Sequence, residues 1–332
     1  MKISACYIVK DDAENLRTSL ESLRGIDEII VVDTGSTDHT VRVAEIFNAQ
    51  VFHTDWNDDF SAPRNLALSK TTGDWVVFLD ADEYFTKETA DNLRYFLEKI
   101  STHNFNGLMI NRINIDADDN NKVLDSTYVL RVFRNRRGLS YVGKIHEELR
   151  IDGKDLTGLL IVPEKFLMLI HTGYSKSVNR EKAERNLKLL LAELDENPER
   201  VYGYIAQCYN GLDDKDNAEK FAKLDIESGV KASTFASSSY RILLDILSRD
   251  ENRLDERKTF AEKAVKDFPK LPDFEAELAE CLAAQGNFED AISAMTQALE
   301  KFKVYNDVET SIFDENRADF ARQRINLWRT KI

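Results

Sequence analysis

The sequence predicts two structural classes in one chain: an α/β domain on a mixed sheet with helices on both faces, then an all-helical repeat domain. Three observations predict it. Short apolar runs alternate with helical periods through the first half, the pattern of parallel βαβ units. Between residues 107 and 149 this gives way to three β-like runs, GLMINRINI, STYVLRVFRN and GKIHEELRI. From about residue 177 the strand signal stops and helical spacing continues to the end, so the expected domains are 1–176 and 177–332.

The elements follow in order. Residues 3–9 read as a strand, and residues 13–23 as a helix with leucines at 16, 20 and 23. Residues 28–32 form a second strand, and 37–47 a helix for which Ser36 offers a cap. A short strand is expected over 51–53 and a helix over 61–70, where Pro63 stands in the first turn and its missing N–H costs nothing. The next strand is 75–79, and Asp152-Gly153 reads as a hairpin turn.

In the second half, NPERVYGYIAQCYNGLDDKDNAEKFAKL and LPDFEAELAECLAAQGNFEDAISAMTQALE align Ala206 with Ala279, Asn217 with Asp290 and Ala218 with Ala291, an offset of 73. A middle unit opening SSSYRILL puts Ala264 34 positions before Ala298. The offset of 73 is two repeats of about 34 to 37 residues, and the spacing of 34 is one. Small residues let paired helices approach, and Gly286-Asn287 supplies a turn. An ordinary helical bundle is the competing reading.

Composition narrows the class. Of 332 residues 42% are apolar and 31% charged, which suits a soluble globular protein. A formal charge of −14 argues against general nucleic-acid binding, which needs a basic face. The opening MKISACYIVKDD turns charged too early for a signal peptide, and no run of about eighteen apolar residues suggests a membrane span. The expected location is cytoplasmic. Cys6, Cys208 and Cys281 lack CxxC spacing and read as inert buried thiols.

The chemistry is concentrated in WVVFLDADEYF, where an apolar strand ends in Asp80, Asp82 and Glu83. Carboxylates so close repel and lose solvation unless a cation relieves them. Hard oxygens on a rigid strand end suit Mg2+ or Mn2+, which leave positions open for phosphate oxygens and neutralise charge on a leaving diphosphate. Asp33, in EIIVVDTGSTDHT, ends another strand, and sites in such sheets lie at the carboxyl ends of strands. The plainer alternative is that Asp33, Ser36 and Asp38 only shape a turn.

Four segments in order, SACYIVKDDAENL, EIIVVDTGSTDHT, FSAPRNLAL and GDWVVFLDADE, resemble family 2 glycosyltransferases with the GT-A fold, a Rossmann-like mixed sheet, over residues 2–174. The run from Asp80 to Glu83 matches their DxD motif. The resemblance implies that Asp33 recognises the uridine of a nucleotide-sugar donor, with Ile8 and Lys10 lining the base pocket. Arg64 would approach the base or the diphosphate. Asp80 would contact ribose or metal, Ala81 would line the donor site, and Asp82 would bind Mn2+ or Mg2+ directly. Glu83 would orient these groups or simply be solvated. YVGKIHEEL is similar to a W/Y-x-G-x-x-H-E region of relatives acting on lipopolysaccharide core or peptides, which implies Glu147 as general base, with His146 as its orienter or as an alternative base. His171, in LMLIHTGYS, would be a third metal ligand or a diphosphate contact. His39, His53 and His103 are expected to be structural or exposed. Two departures stand out: Asp11-Asp12 replaces the usual Asn-Glu, and Asp38-His39-Thr40 the usual DGT.

The helical half resembles tetratricopeptide repeats, whose stacked pairs hold an extended peptide or serve a homodimer. Behind such a transferase domain it looks like bacterial enzymes that glycosylate peptides or proteins, including S- and O-glycosyltransferases of bacteriocin peptides. The resulting expectation is a metal-dependent inverting transferase moving sugar from a UDP-sugar to a peptide or protein side chain. The alternatives are a lipopolysaccharide-core or other saccharide acceptor, or a non-catalytic scaffold with a decayed transferase domain. A sugar nucleotidyltransferase fits less well, because KDDAENL lacks the glycines of their first loop.

Overall fold

A computed structural model describes residues 1–173, 176–229, 235–307 and 309–332. Tyr174, the last residue of the resemblance, lies outside them. Contacts divide the chain into Met1–Lys182 and Ala183–Ile332. The expected boundary at 176/177 falls at the start of a helix, Lys176–Glu193, and the units divide within that helix.

In the first unit, β1 (Ile3–Val9), α1 (Ala13–Ser22), β2 (Glu28–Asp33), α2 (Thr40–Ile46), β3 (Gln50–His53), α3 (Ser61–Lys70) and β4 (Trp75–Phe78) follow the predicted alternation. Strands β3, β2, β1 and β4 are parallel neighbours. Both faces of this sheet are covered, which is why its strands are near-continuous apolar runs. Alternate residues sort between the faces. Tyr7, Val31 and Val77 pack with Leu16, Leu20 and Val43 of α1 and α2, while Cys6, Val32 and Phe78 pack with Ala67 and Leu68 of α3.

After β4 come β5 (Glu83–Phe85), α4 (Lys87–Ile100), β6 (Gly107–Asp116), β7 (Lys122–Arg134), β8 (Leu139–Val142), β9 (Glu148–Ile151), β10 (Lys154–Asp155), β11 (Leu159–Ile161) and β12 (Met168–His171). The main sheet runs β3-β2-β1-β4-β7-β6-β12-β5, with β11 also on β6, while β10-β9-β8 form a small second sheet. Antiparallel β7 makes the sheet mixed, as expected. Asp152 (φ +49°) and Gly153 (φ +74°) make the expected two-residue turn between β9 and β10.

Three local expectations need correction. Ser36 does not cap α2, which starts at Thr40; its hydroxyl instead accepts the Asp11 N–H at 2.9 Å. His146 and Glu147 precede β9 and are not on a strand. The carboxylate run is not a simple strand end, because β4 stops at Phe78 and Glu83 opens β5, which pairs antiparallel with β12.

The second unit is helical. The helix at the junction, α5 (Lys176–Glu193), is followed by the contacting neighbours α6 (Pro198–Gly211) and α7 (Lys215–Glu227), then α8 (Ser238–Leu247) and α9 (Leu254–Asp267), then α10 (Pro272–Ala284) and α11 (Phe288–Val304), and finally α12 (Glu315–Arg329). The aligned alanines are buried between helices: Ala206, Ala218, Ala264, Ala279, Ala291 and Ala298 all have no exposed surface. Gly286, at φ +83°, makes the α10–α11 turn in a conformation that other residues resist. No helix among the described residues is long and apolar enough to cross a membrane.

Candidate active site

The register of the parallel strands brings the acids to one edge. Val9 lies level with Asp33, and Cys6 lies level with both Ile30 and Phe78, so Asp33 and Asp80 leave the sheet at the same end. Asp33 is buried. Its carboxylate accepts the backbone N–H groups of Gly35 at 3.2 Å and Ser36 at 3.1 Å, so it does shape the turn. His53 Nδ1 lies 3.2 Å from Asp33 Oδ2, so this exposed histidine also touches the site. Asp11 ties the neighbouring loop: its Oδ1 accepts the Thr37 N–H at 2.6 Å, which holds its carboxyl below the usual range. On the same edge Ile8 is half-buried and Lys10 exposed.

Asp80 sits in a guanidinium clamp. Arg64 Nη2 donates to Oδ1 at 2.6 Å, and Arg131 Nη2 donates to Oδ2 at 2.5 Å. Burial raises the Asp80 carboxyl, but Arg131 and then Arg64 outweigh it and hold it well below its ordinary value. Arg64, on α3, is 5% exposed and lies over the rings of Phe78 at 4.8 Å and Tyr141 at 5.5 Å. Its Nε forms an ion pair with Glu147 Oε1. Its Nη1 is buried and has no hydrogen-bond partner among the described residues. Burial pulls the Arg64 guanidinium down, and Glu147 and Asp80 more than reverse this.

Glu83 is fully buried rather than solvated. Arg131 grips it through Nε at 2.7 Å and Nη2 at 2.8 Å, and Arg112 Nη1 lies 3.3 Å from Oε1. Its Oε2 also accepts the Asp80 N–H at 3.2 Å, so Glu83 orients the turn that carries Asp80. Arg131 reaches both acids because it is the extra residue of a β-bulge. Leu108 pairs with Val132 and Met109 with Leu130, which leaves Arg131 unpaired in the ladder and free to be re-aimed.

Asp82 has different company. The β5–β12 pairing sets His171 opposite Glu83, and the Thr172 N–H donates to the Asp82 carbonyl at 3.0 Å. His171 Nε2 then lies 3.3 Å from Asp82 Oδ2. Nδ1 of the same ring is 2.8 Å from Asn114 Oδ1. Burial raises the Asp82 carboxyl, and the hydrogen bond from His171 brings it below its ordinary value. Gly173 closes this corner: a Cβ there would collide with Asp82 Oδ2 and lie 2.6 Å from His171 Nε2. Lys182 Nζ donates to the Gly173 carbonyl at 2.9 Å. The Asp12 carboxyl is raised by burial and by the nearby Asp82 charge.

The predicted site residues thus form two groups. Arg64, Asp80 and Glu147 meet in the clamp; Asp82 and His171 meet beside Gly173. Ala81 is buried between the two acids, and His146 is half-buried with φ +50°, an uncommon conformation for its residue type. Asp80, Asp82 and His171 do not converge as three metal ligands, and no group of three or more His, Cys, Asp or Glu among the described residues could hold a metal. The reason is that both Asp80 oxygens are committed to arginines. A small divalent cation needs only one or two carboxylates when phosphates complete its shell, and the Asp82 carboxylate beside His171 is a donor of that type.

Sequence reasoning missed Arg131, Arg112, Asp12, Gly173 and Lys182. Only Arg131 carried a signal: a charge inside the apolar run VLRVF needs a buried partner.

The sequence model of the family described as Glycosyl transferase family 2 matches residues 4–160. Over that span, just under half of the chain, the protein is similar to family 2 glycosyltransferases. Among curated proteins, a TPR repeat-containing protein of Synechococcus elongatus is 32% identical over 264 residues, covering 76% of this chain and 63% of that protein. The SPbeta prophage-derived glycosyltransferase SunS of Bacillus subtilis is 27% identical over 239 residues, covering 68% of this chain and 53% of that protein. The match therefore spans less than two thirds of either relative. Among solved structures, S. aureus TarS 1-349 in complex with UDP-GlcNAc is 17% identical, covers 91% of this chain and 92% of its own, and has a TM-score of 0.44. The matched range holds every predicted site residue except His171, which lies past it on β12.

Proposed function

We propose that the protein is a metal-dependent inverting glycosyltransferase that moves a sugar from a UDP-sugar to a peptide or protein side chain. The observation that carries this reading is the Asp82–His171 pair standing beside the clamped Asp80 at the carboxyl edge of a family 2 sheet. Asp33 and the β1 edge at Ile8 and Lys10 face the nucleoside. Arg64 and Lys182 supply positive charge toward the diphosphate. Asp82 and His171 would hold Mn2+ or Mg2+, which when bound neutralises charge growing on the diphosphate as it leaves. Glu147 takes the proton of the acceptor nucleophile, with His146 beside it as the second candidate. The helix pairs behind the domain, and a relative named for TPR repeats, support a polypeptide acceptor over a saccharide one. The same helices would serve a homodimer if no peptide binds there.

The test is hydrolysis of a panel of UDP-, GDP- and CMP-sugars, with Mn2+ and with a chelator. Slow Mn2+-dependent cleavage of one UDP-sugar is the expected result. Cleavage that survives the chelator would remove the metal from the reading, and failure of UDP itself to bind would favour a non-catalytic scaffold.

A further inference from the structure

We propose that Arg64 is a shared counter-ion that ties up Glu147 until a donor diphosphate arrives, so that donor binding releases the base. The inference rests on the functional reading above and deepens it by naming Arg64 as a positioning residue for Glu147.

Two observations lead to it. The Arg64 guanidinium touches Asp80 and Glu147 at once, through Nη2 and Nε. A carboxylate engaged by a guanidinium is turned toward that cation and away from an acceptor nucleophile, and Glu147 is engaged in this way. The third nitrogen of the fork, Nη1, is buried without an acceptor among the described residues, and Nε, though ion-paired with Glu147, also makes no hydrogen bond there, so the group still lacks acceptors. A diphosphate oxygen supplies one.

Charge balance gives the direction. Asp80, Glu83 and Glu147 face Arg64, Arg112 and Arg131, three negative charges against three positive. A diphosphate brought to Arg64 competes for the same guanidinium and adds negative charge near Glu147. Both effects weaken the hold of Arg64 on Glu147. The base is then tied up in the free enzyme and released in the donor complex, which limits its action on water or acceptor before a donor is in place. Because coupling is reciprocal, Glu147 must in turn weaken diphosphate binding.

That reciprocity supplies a test that needs no turnover. UDP is titrated calorimetrically, with Mn2+ present, into the wild type and into Glu147→Gln, whose neutral amide gives up the ion pair. The expected result is a UDP dissociation constant about fivefold lower in Glu147→Gln. The gain should vanish when the same change is made in an Arg64→Lys background, because a single ammonium cannot serve both carboxylates as the fork does. If Glu147→Gln does not fold, Glu147→Asp, one methylene short of Arg64, should tighten UDP binding in the same way. Equal affinity in wild type and variants, with UDP binding intact, overturns the coupling and leaves the donor site standing. Absence of UDP binding by the folded wild type overturns the donor site and the coupling together.

Discussion

Two clusters of arginine and carboxylate in this chain use the same side chains at different depths. At the sheet edge, Glu83 has no exposed side-chain surface and Arg64 only 6%. On the helical unit, Glu219 bonds Arg253 and Lys223 while Glu256 bonds the same two cations, and these side chains are 19% to 34% exposed. The comparison teaches that depth, rather than the count of ion pairs, decides what such a cluster does. A deep network fixes one geometry and is costly to break, whereas a shallow one is screened and contributes little.

The comparison can be broken most sharply at Glu83. Glu83→Gln leaves Arg131 and Arg112 without their buried counter-charge, and should lower stability by about 3–5 kcal/mol in denaturant unfolding. A loss under about 1 kcal/mol would place this network with the shallow kind. Asp82→Ala separates function from stability at the same edge. It should change stability by no more than about 1 kcal/mol and cut Mn2+-dependent donor cleavage by at least about 100-fold. Unchanged turnover would remove Asp82 from the site. The smallest effect belongs to Glu219→Gln, expected within about 1 kcal/mol and smaller still at high salt. Arg253 and Lys223 together hold the Glu219 carboxyl down at about 2, with Arg253 the larger influence. A depressed value means that its contribution is present above the ordinary carboxylate range and fades as pH falls toward 2. A wild-type and Glu219→Gln pair should therefore differ slightly at neutral pH and converge in acid.

Much of this was legible before any coordinates. The short apolar runs and the period-3.6 patterns located β1 to β4 and their helices, because buried parallel strands must be apolar on both faces. The alanine offset found the helix pairs, since only small residues fit at those crossings. The acids were recognised as a group, but their division was not. Asp80 and Asp82 are two residues apart and have different partners, because Arg64, Arg131 and His171 arrive from α3, a bulge in β7 and the last strand of the sheet. Such contacts depend on strand order, and the sequence pattern carries no trace of it. The bulge at Arg131 is likewise a register property. The Ser36 cap failed for a local reason: the Ser36 hydroxyl and the Asp11 carboxylate bind across two loops, which delays α2 to Thr40.

The central claim is that the two acids divide the work, with Asp82 and His171 serving the ligand while Asp80 stays with its arginines. The most direct measurement is a crystal structure with UDP and Mn2+, phased to show the anomalous signal of manganese. The account predicts one peak within bonding distance of both Asp82 Oδ2 and His171 Nε2, with the diphosphate against it and Asp80 still held by Arg131. A peak bonded to Asp80, or UDP bound away from this edge, would contradict it.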